Sequence, residues 1–184
     1  MIRRLMATGL LVVLATASPV RAQNVRKDLQ VFNDVSAAVL RYANFTIFDD
    51  VGANVASGVV VLTGKVTMPY KRAEIEKRVA KVAGVTQIEN RITVLPVSQF
   101  DEELRYTIAR AIYGNSAFWH YAAMANPPVH IVVENGRVTL SGVVNNNVER
   151  MLARSLATSF GAFSVVNALK TDAEVKADLE RMGL

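Results

Sequence analysis

Two short motifs each occur twice in this chain, in the same order and at nearly the same spacing. The first, G-x-V-x-L-[ST]-G-x-V, begins at Gly58 and again at Gly136, 78 positions later. The second, G-x-x-x-[IV]-x-N-x-[IL], begins at Gly84 and again at Gly161, 77 positions later. Two motifs repeated at almost one spacing indicate a duplication. The 184 residues are therefore predicted to hold two copies of one small module.

Each copy has the same order of predicted elements. An amphipathic helix comes first, opened in the second copy by a Ser98-x-x-Asp101 capping box. Alternating apolar residues then flank a turn at Gly58 or at Asn135-Gly136, which predicts a β-hairpin. A second helix and a last short strand, 85–94 or 163–169, complete each copy. The helix positions expected to face the core are Val31, Val35, Val39, Tyr42, Ile75, Val79 and Val82 in the first copy and Leu104, Ile108, Ile112, Val148, Leu152 and Leu156 in the second.

This order predicts an α+β fold of two tandem αββαβ modules, each a small three-stranded mixed sheet with two helices packed on one face. Module 1 is expected to span 28–95 and module 2 to span 98–171. Residues 172–184 form a predicted C-terminal amphipathic helix, opened by Thr171-x-x-Glu174. The repeated glycines are expected to be structural residues of turns and helix ends. They are Gly58, Gly64, Gly84, Gly136, Gly142 and Gly161.

The two motifs, with the helix between them, resemble the BON domain in both copies. The resemblance covers roughly residues 28–95 and 98–171. It implies non-enzymatic modules that bind phospholipid or other components of the cell envelope. Tandem modules behind a signal peptide are similar to periplasmic proteins of osmotic stress and envelope integrity.

The N-terminal residues have the pattern of a secretory signal peptide. Arg3 and Arg4 precede an apolar run over 5–17, and Val20-Arg21-Ala22 suits signal peptidase. The run is shorter than the roughly 18 residues of a spanning helix, so we expect cleavage after Ala22 and a periplasmic location, with an uncleaved anchor as the alternative. The chain contains no cysteine, which excludes disulfides and a lipid-modified cysteine. It is therefore not expected to be a lipoprotein.

Module 2 carries five to seven extra residues between its first helix and its hairpin. They fall within 115–125, a segment that holds the only tryptophan and that we call the insert. Tryptophan and tyrosine favour membrane interfaces, and the resemblance implicates the first helix of a second module in contacts with anionic lipid. The predicted lipid or partner contacts are therefore Arg105, Arg110, Phe118, Trp119, Tyr121 and Met124. The alternative is that Phe118, Trp119 and Met124 fold inward and join the two modules.

Other sequence features argue against catalysis, metal binding and nucleic-acid binding. The basic run 71–81 alternates with acids, as a solvated helix face does, and the formal charge falls from +5 to +2 without residues 1–22. His120 and His130 have no metal-ligand cluster beside them, and no nucleophile motif or phosphate-binding loop occurs. We expect no catalytic residues, cofactor, metal or nucleic acid. The expected partner is an anionic phospholipid surface or an envelope protein; the rival hypothesis is a protein-binding adaptor or holdase. The oligomeric state stays open.

Overall fold

A computed structural model describes residues 19–181 of the chain. The predicted signal peptide lies outside the described residues except for positions 19–22, which belong to the first helix. Residues 182–184, the end of the predicted C-terminal helix, also lie outside them. Within the described part, no helix combines the length and apolar character needed to cross a membrane.

Module 1 consists of a helix, a β-hairpin, a second helix and a last strand in two pieces. The first hairpin strand is antiparallel to the second, and both pieces of the last strand are parallel to that second strand in one register, interrupted at Arg91 and Ile92. The elements are α1 (Pro19–Leu40), β1 (Asp50–Ala56), β2 (Val59–Val66), α2 (Pro69–Val79), β3 (Gln87–Asn90) and β4 (Thr93–Val94).

Module 2 repeats this topology and ends in an additional helix. Its insert forms a 3-10 turn, Ser116–Phe118, followed by the short helix α4 (Trp119–Ala122). The other elements are α3 (Gln99–Tyr113), β5 (Val129–Glu134), β6 (Arg137–Val144), α5 (Asn147–Thr158), β7 (Ser164–Asn167), β8 (Lys170–Thr171) and α6 (Asp172–Arg181). The predicted α+β fold of two modules with mixed sheets is confirmed.

Each module has a core between one face of its sheet and its two helices. The predicted stripes on α1 and α3 are buried, as are Ile75 and Val79 on α2, while Val82 follows the end of α2 and is half-buried. The stripe predicted for α5 is wrong at Val148, which is 74% exposed. Ala153 and Ala157 are fully buried instead. Because these small side chains let α5 approach the sheet closely, its inward face is centred on them and Val148 turns to solvent.

Both hairpins close with a two-residue turn whose central residues have positive φ, Ser57 and Gly58 in module 1 and Asn135 and Gly136 in module 2. This is the type I′ geometry that suits the twist of the flanking strands. An aspartate of the first helix holds each turn. Asp28 accepts hydrogen bonds from the amides of Ser57 (2.9 Å) and Gly58 (3.3 Å).

In module 2 the equivalent aspartate is Asp101, which accepts from the amides of Asn135 (2.8 Å) and Gly136 (2.7 Å). The predicted capping box forms only in part, because the Ser98 hydroxyl accepts from the Asp101 amide while the Asp101 carboxylate turns to the hairpin. At the chain's C-terminal helix, by contrast, both halves of the box form between Thr171 and Glu174.

Gly64 and Gly142 occupy one position of β2 and β6 at which only glycine fits. Their φ angles are +115° and +110°, and a Cβ would overlap the carbonyl oxygen of Asp50 or of Pro128 on the neighbouring chain segment. Strand pairing at the start of each hairpin therefore requires glycine at this point.

Replacing Gly64 by alanine is expected to lower the free energy of unfolding by about 3 kcal/mol, because the Cβ meets main chain that cannot move aside. Gly161→Ala is the matched control, since Gly161 also has positive φ but has no atom within 4 Å of the place that a Cβ would take. It should cost only about 1 kcal/mol. Urea unfolding measures both, and equal losses would contradict the steric explanation.

Candidate functional site

The insert of module 2 sends two aromatic side chains into the module. Phe118 is fully buried in the core. The Tyr121 hydroxyl donates to the Glu149 carboxylate (2.7 Å) and accepts from the Asn145 amide (2.8 Å). Burial and the Glu149 carboxylate raise the pKa of Tyr121 to about 12, so the hydroxyl keeps its proton at neutral pH. These two residues fasten the insert to α5.

Two other residues of the insert point outward. Trp119 is 64% exposed and Met124 is 48% exposed. The Trp119 indole N–H donates to the Gly114 carbonyl at the end of α3 (3.2 Å), which holds the ring against that helix. Arg110 is exposed and lies four residues before Gly114, so it shares that face of α3 with the ring. Arg110 makes no ion pair within residues 19–181.

Arg105, the other predicted cation of α3, does not lie on this face. It is buried, and its guanidinium donates to the Val133 carbonyl of β5 (2.9 Å). The sequence places Arg105 and Arg110 five residues apart on one helix, and five residues rotate the side-chain direction by more than a quarter turn. The structure therefore separates them: Arg105 lies against the sheet, and Arg110 faces solvent.

Arg105 belongs to a stripe of α3 that runs along the outer edge of β5, the edge that does not pair with β6. Asp101 holds the turn at one end of the stripe, and at the other end the Tyr113 hydroxyl donates to the Val129 carbonyl (2.6 Å) and accepts from its amide (3.2 Å). Burial raises the pKa of Tyr113. The small Ala109 lies between Arg105 and Tyr113. These side chains supply hydrogen bonds that an edge strand otherwise lacks.

The middle of the β5 edge is paired with module 1. The Ile131 amide donates to the Ile47 carbonyl (2.7 Å). Ile47 and Phe48 pack against the core of module 2, and the Phe48 ring meets Tyr106 edge to face at 5.1 Å. The segment 45–48 of module 1 thus joins the two modules. The sequence prediction missed this segment, although an apolar run within a predicted loop was a signal for it.

Two further contacts cross the junction. Phe45 lies 5.5 Å from the His130 ring, and Lys65 of β2 forms an ion pair with Glu134 of β5. The last residue of the insert and the two that follow it, 125–127, line a cavity of about 260 Å³ opposite Leu40 and Phe45. The outward residues of the insert, Trp119 and Met124, are not part of this junction's core.

A buried ion pair lies in module 1 beside the junction. The Lys71 ammonium donates to the Asp49 carboxylate (2.6 Å) and to the Thr67 hydroxyl (2.7 Å), and both charged residues are buried. The amides and hydroxyls of Thr46 and Thr67 also donate to Asp49. Burial by itself would raise the pKa of Asp49, but the Lys71 ammonium and the two threonine amides outweigh burial and hold that pKa below its usual value.

Module 2 has the opposite charge at this point. Counted from the last valine of the second hairpin strand, Val66 or Val144, Glu149 takes the position of Lys71. Its partners are Tyr121 and Asn145 rather than an aspartate. Among the described residues, no group of three or more histidine, cysteine, aspartate or glutamate side chains could hold a metal ion.

A family model described as "BON domain" matches residues 27–96 and again residues 119–173. The chain belongs to the BON domain family. The second BON match begins at Trp119 and so leaves out α3, which occupies in module 2 the place of α1 in module 1. The BON domain is a non-catalytic binding domain, associated with phospholipid binding and with proteins of the envelope and of osmotic stress.

Solved structures of CdsD, a structural protein of the type III secretion system of Chlamydia trachomatis, are similar to this chain. The CdsD C-terminal domain is 16% identical over 77% of this chain and 65% of that one, with a TM-score of 0.32. A second CdsD structure is 15% identical over 82% of this chain and 97% of that one, with a TM-score of 0.28. At these TM-scores neither likeness carries an inference. No curated protein matches the chain.

The Asp49–Lys71 pair is expected to make stability depend on acid pH. Because the pKa of Asp49 is lower in the folded protein than in the unfolded chain, the pair stabilises the fold above the unfolded pKa of about 3.9. That stabilisation is lost as pH falls through the lower, folded pKa. A D49N/K71M variant, which removes both charges together, should therefore lose less free energy of unfolding than the native chain as the pH falls below about 4.

The exposed Asp34 of α1 provides the control, because Asp34→Asn should leave the acid dependence close to that of the native chain. Urea unfolding at a series of pH values measures all three proteins. An acid dependence of the double variant as steep as the native one would show that Asp49 does not contribute to it.

Arg105 and Arg110 are expected to respond differently to removal of their charge. Arg105→Met should lower the free energy of unfolding by about 1–3 kcal/mol, because the Val133 carbonyl loses its buried donor. Arg110→Met should change it by about 0.5 kcal/mol or less, as exposed substitutions usually do. Thermal and urea unfolding compare the two, and a large loss for Arg110→Met would contradict its placement at the surface.

Proposed function

We propose that this protein is a non-enzymatic, periplasmic binding protein that contacts anionic phospholipid surfaces through module 2 and supports the integrity of the cell envelope. Export would depend on residues 1–22 as a cleaved signal peptide. Membership of the BON family supports a binding role. The observation that carries the choice of surface is the exposed Trp119 ring, held on the same face of α3 as the exposed Arg110.

The two side chains suit the two layers of a phospholipid surface. An indole ring partitions to the interface, where its apolar body meets acyl chains and its N–H stays among polar groups. An arginine beside it donates to phosphate oxygens. Met124 adds exposed apolar area on the same insert. We therefore assign the contact to Arg110, Trp119 and Met124, with Phe118, Tyr121 and Arg105 as the buried residues that hold the insert and its helix in place.

The contact is expected to be weak, reversible and sensitive to salt. Module 2 has six basic and five acidic residues, so it lacks a strong overall attraction for anionic lipid. Each cation near such a surface contributes about 1 kcal/mol, and that contribution is screened beyond about 10 Å at 0.1 M salt. Most of the binding energy must therefore come from the apolar insert.

Cosedimentation of residues 23–184 with vesicles tests this proposal. Binding to vesicles of anionic phosphatidylglycerol should exceed binding to neutral phosphatidylcholine at low salt, and an R110A/W119A variant should bind about tenfold more weakly. Tyr70→Ala is the matched control, because Tyr70 is a similarly exposed aromatic residue of module 1. No binding to anionic vesicles at low salt would overturn the proposal, as would undiminished binding of the double variant.

A second candidate function, an adaptor or holdase that binds polypeptide, is favoured by a different observation. At the hairpin-turn end of module 2, Phe100 and Phe163 stack at 6.0 Å and are 49% and 77% exposed. An exposed aromatic pair suits apolar side chains of an unfolded segment. If this candidate is right, a permanently unfolded, carboxymethylated protein binds the chain, Phe163→Ala removes that binding, and R110A/W119A leaves it unchanged.

A further inference from the structure

β1 and β5 are the same strand in the two modules, but their outer edges differ. Because both hairpins close with a two-residue turn, Val51, Ala53 and Val55 correspond to Val129, Ile131 and Val133. In module 2 these outward main-chain groups bond to Tyr113, Ile47 and Arg105. Among residues 27–181, whose side chains the structure describes, no hydrogen bond reaches the outward amides or carbonyls of Val51, Ala53 and Val55.

The helix beside each edge explains this difference. The stripe Asp101, Arg105, Ala109 and Tyr113 of α3 corresponds to Asp28, Phe32, Ser36 and Leu40 of α1. Phe32 and Leu40 occupy the positions at which module 2 has Arg105 and Tyr113, and they are 39% and 41% exposed. Because apolar side chains cannot form hydrogen bonds, Phe32 and Leu40 leave the main-chain groups of the β1 edge without partners and add apolar surface next to that edge.

β1 and β5 also differ in how deeply their residues are buried. Val129, Ile131 and Val133 are fully buried. Their counterparts Val51, Ala53 and Val55 are only half-buried, although they face the core of module 1. The outer edge of β5 in module 2 is covered by segment 45–48 of module 1, whereas no described segment covers the outer edge of β1 in module 1.

The open edge of β1 also lacks the usual protection against pairing. The opposite edge strands, β3 and β7, have four residues each, whereas β1 has seven. From Val51 to Ala56 it contains neither a charged residue nor a proline. Natural proteins protect exposed edges with such residues, with short strands or with a cover, and a long apolar edge without them pairs with another strand.

We propose that β1 pairs with β1 of a second copy of this chain, antiparallel about Ala53, to give a two-fold dimer with one continuous sheet. In this register Val51 lies opposite Val55, two like β-branched side chains, and the small Gly52 lies opposite Asn54. Asp50 lies opposite Ala56, and no two like charges meet. The surface is complementary to itself, as a two-fold dimer requires.

The neighbouring helices satisfy the same symmetry. With Ser36 near the axis, Phe32 of one copy faces Leu40 of the other, so both exposed apolar residues become buried. Ser36 is as small as Ala109, which stands at the equivalent place on α3, where Ile47 reaches the β5 edge. On the side of the helix, the middle of the β1 edge therefore leaves as much room for an approaching strand as α3 leaves for Ile47 at β5.

Ala53→Pro tests the proposal, because the Ala53 amide points away from its own sheet and its loss breaks no bond within module 1. The native protein should pass from monomer to dimer between about 1 and 500 µM in sedimentation velocity. The variant should raise the dissociation constant by roughly tenfold or more, since each dimer loses main-chain hydrogen bonds. Exchange of the Ala53 amide should slow as the native protein dimerises.

Phe32→Lys is a second variant, which keeps the strand intact and should also weaken the dimer. If circular dichroism shows that Ala53→Pro does not fold, Phe32→Lys tests the proposal in its place. Val148→Lys is the matched control, an exposed apolar residue on α5 whose replacement should leave the dimer unchanged. A protein that stays monomeric throughout would overturn the proposal. So would a dimer that persists in both variants, or one in which exchange of the Ala53 amide does not slow.

Discussion

A strand at the edge of a sheet leaves the main-chain groups of every second residue without a hydrogen-bond partner, and the partners of the β5 edge determine how the rest of this molecule packs. Arg105 and Tyr113 of α3 bond to this edge through their side chains, and the small Ala109 between them leaves room for module 1. The β5 edge also bonds to the Ile47 carbonyl of module 1. Because that last bond is made by main chain, it fixes the position of one module against the other more closely than apolar contact alone would.

Most of the fold could be predicted from the sequence, because periodicity and turn chemistry are local. The Asn135-Gly136 turn fixes the strand register of the hairpin in module 2. Because the motifs repeat at the same spacing, the same register is predicted for the hairpin that turns at Ser57-Gly58 in module 1. The prediction for Val148 was wrong because an apolar stripe does not show which side chains permit the closest approach of a helix to a sheet. The roles of Asp28 and Asp101 were missed because each bonds to a turn far along the chain, although their equivalent places in both copies were a usable signal.

The sequence predicted where the candidate site lies in the chain, but it did not predict which side chains of the insert point inward and which point to solvent. A difference in length between the copies identifies the insert, whereas the direction of each aromatic ring depends on partners distant in sequence. Phe118 has no polar group and is buried, and Tyr121 is buried with a partner for its hydroxyl, Glu149. Trp119 has its N–H satisfied by the nearby Gly114 and needs no buried partner. The exchange of Lys71 for Glu149 likewise shows that the duplicated scaffolds have diverged in their polar interiors.

The contribution of Ile47 and Phe48 to the core of module 2 has a consequence for the order of folding. Among the described residues, every side chain in the core of module 1 comes from module 1, whereas these two residues of module 1 pack against the core of module 2. A chain that emerges N-terminus first can therefore complete module 1 before module 2 exists. Module 2 then folds against the finished surface of module 1. The two copies therefore differ in what they need for folding: module 1 can fold first, and module 2 packs against residues that module 1 has already positioned.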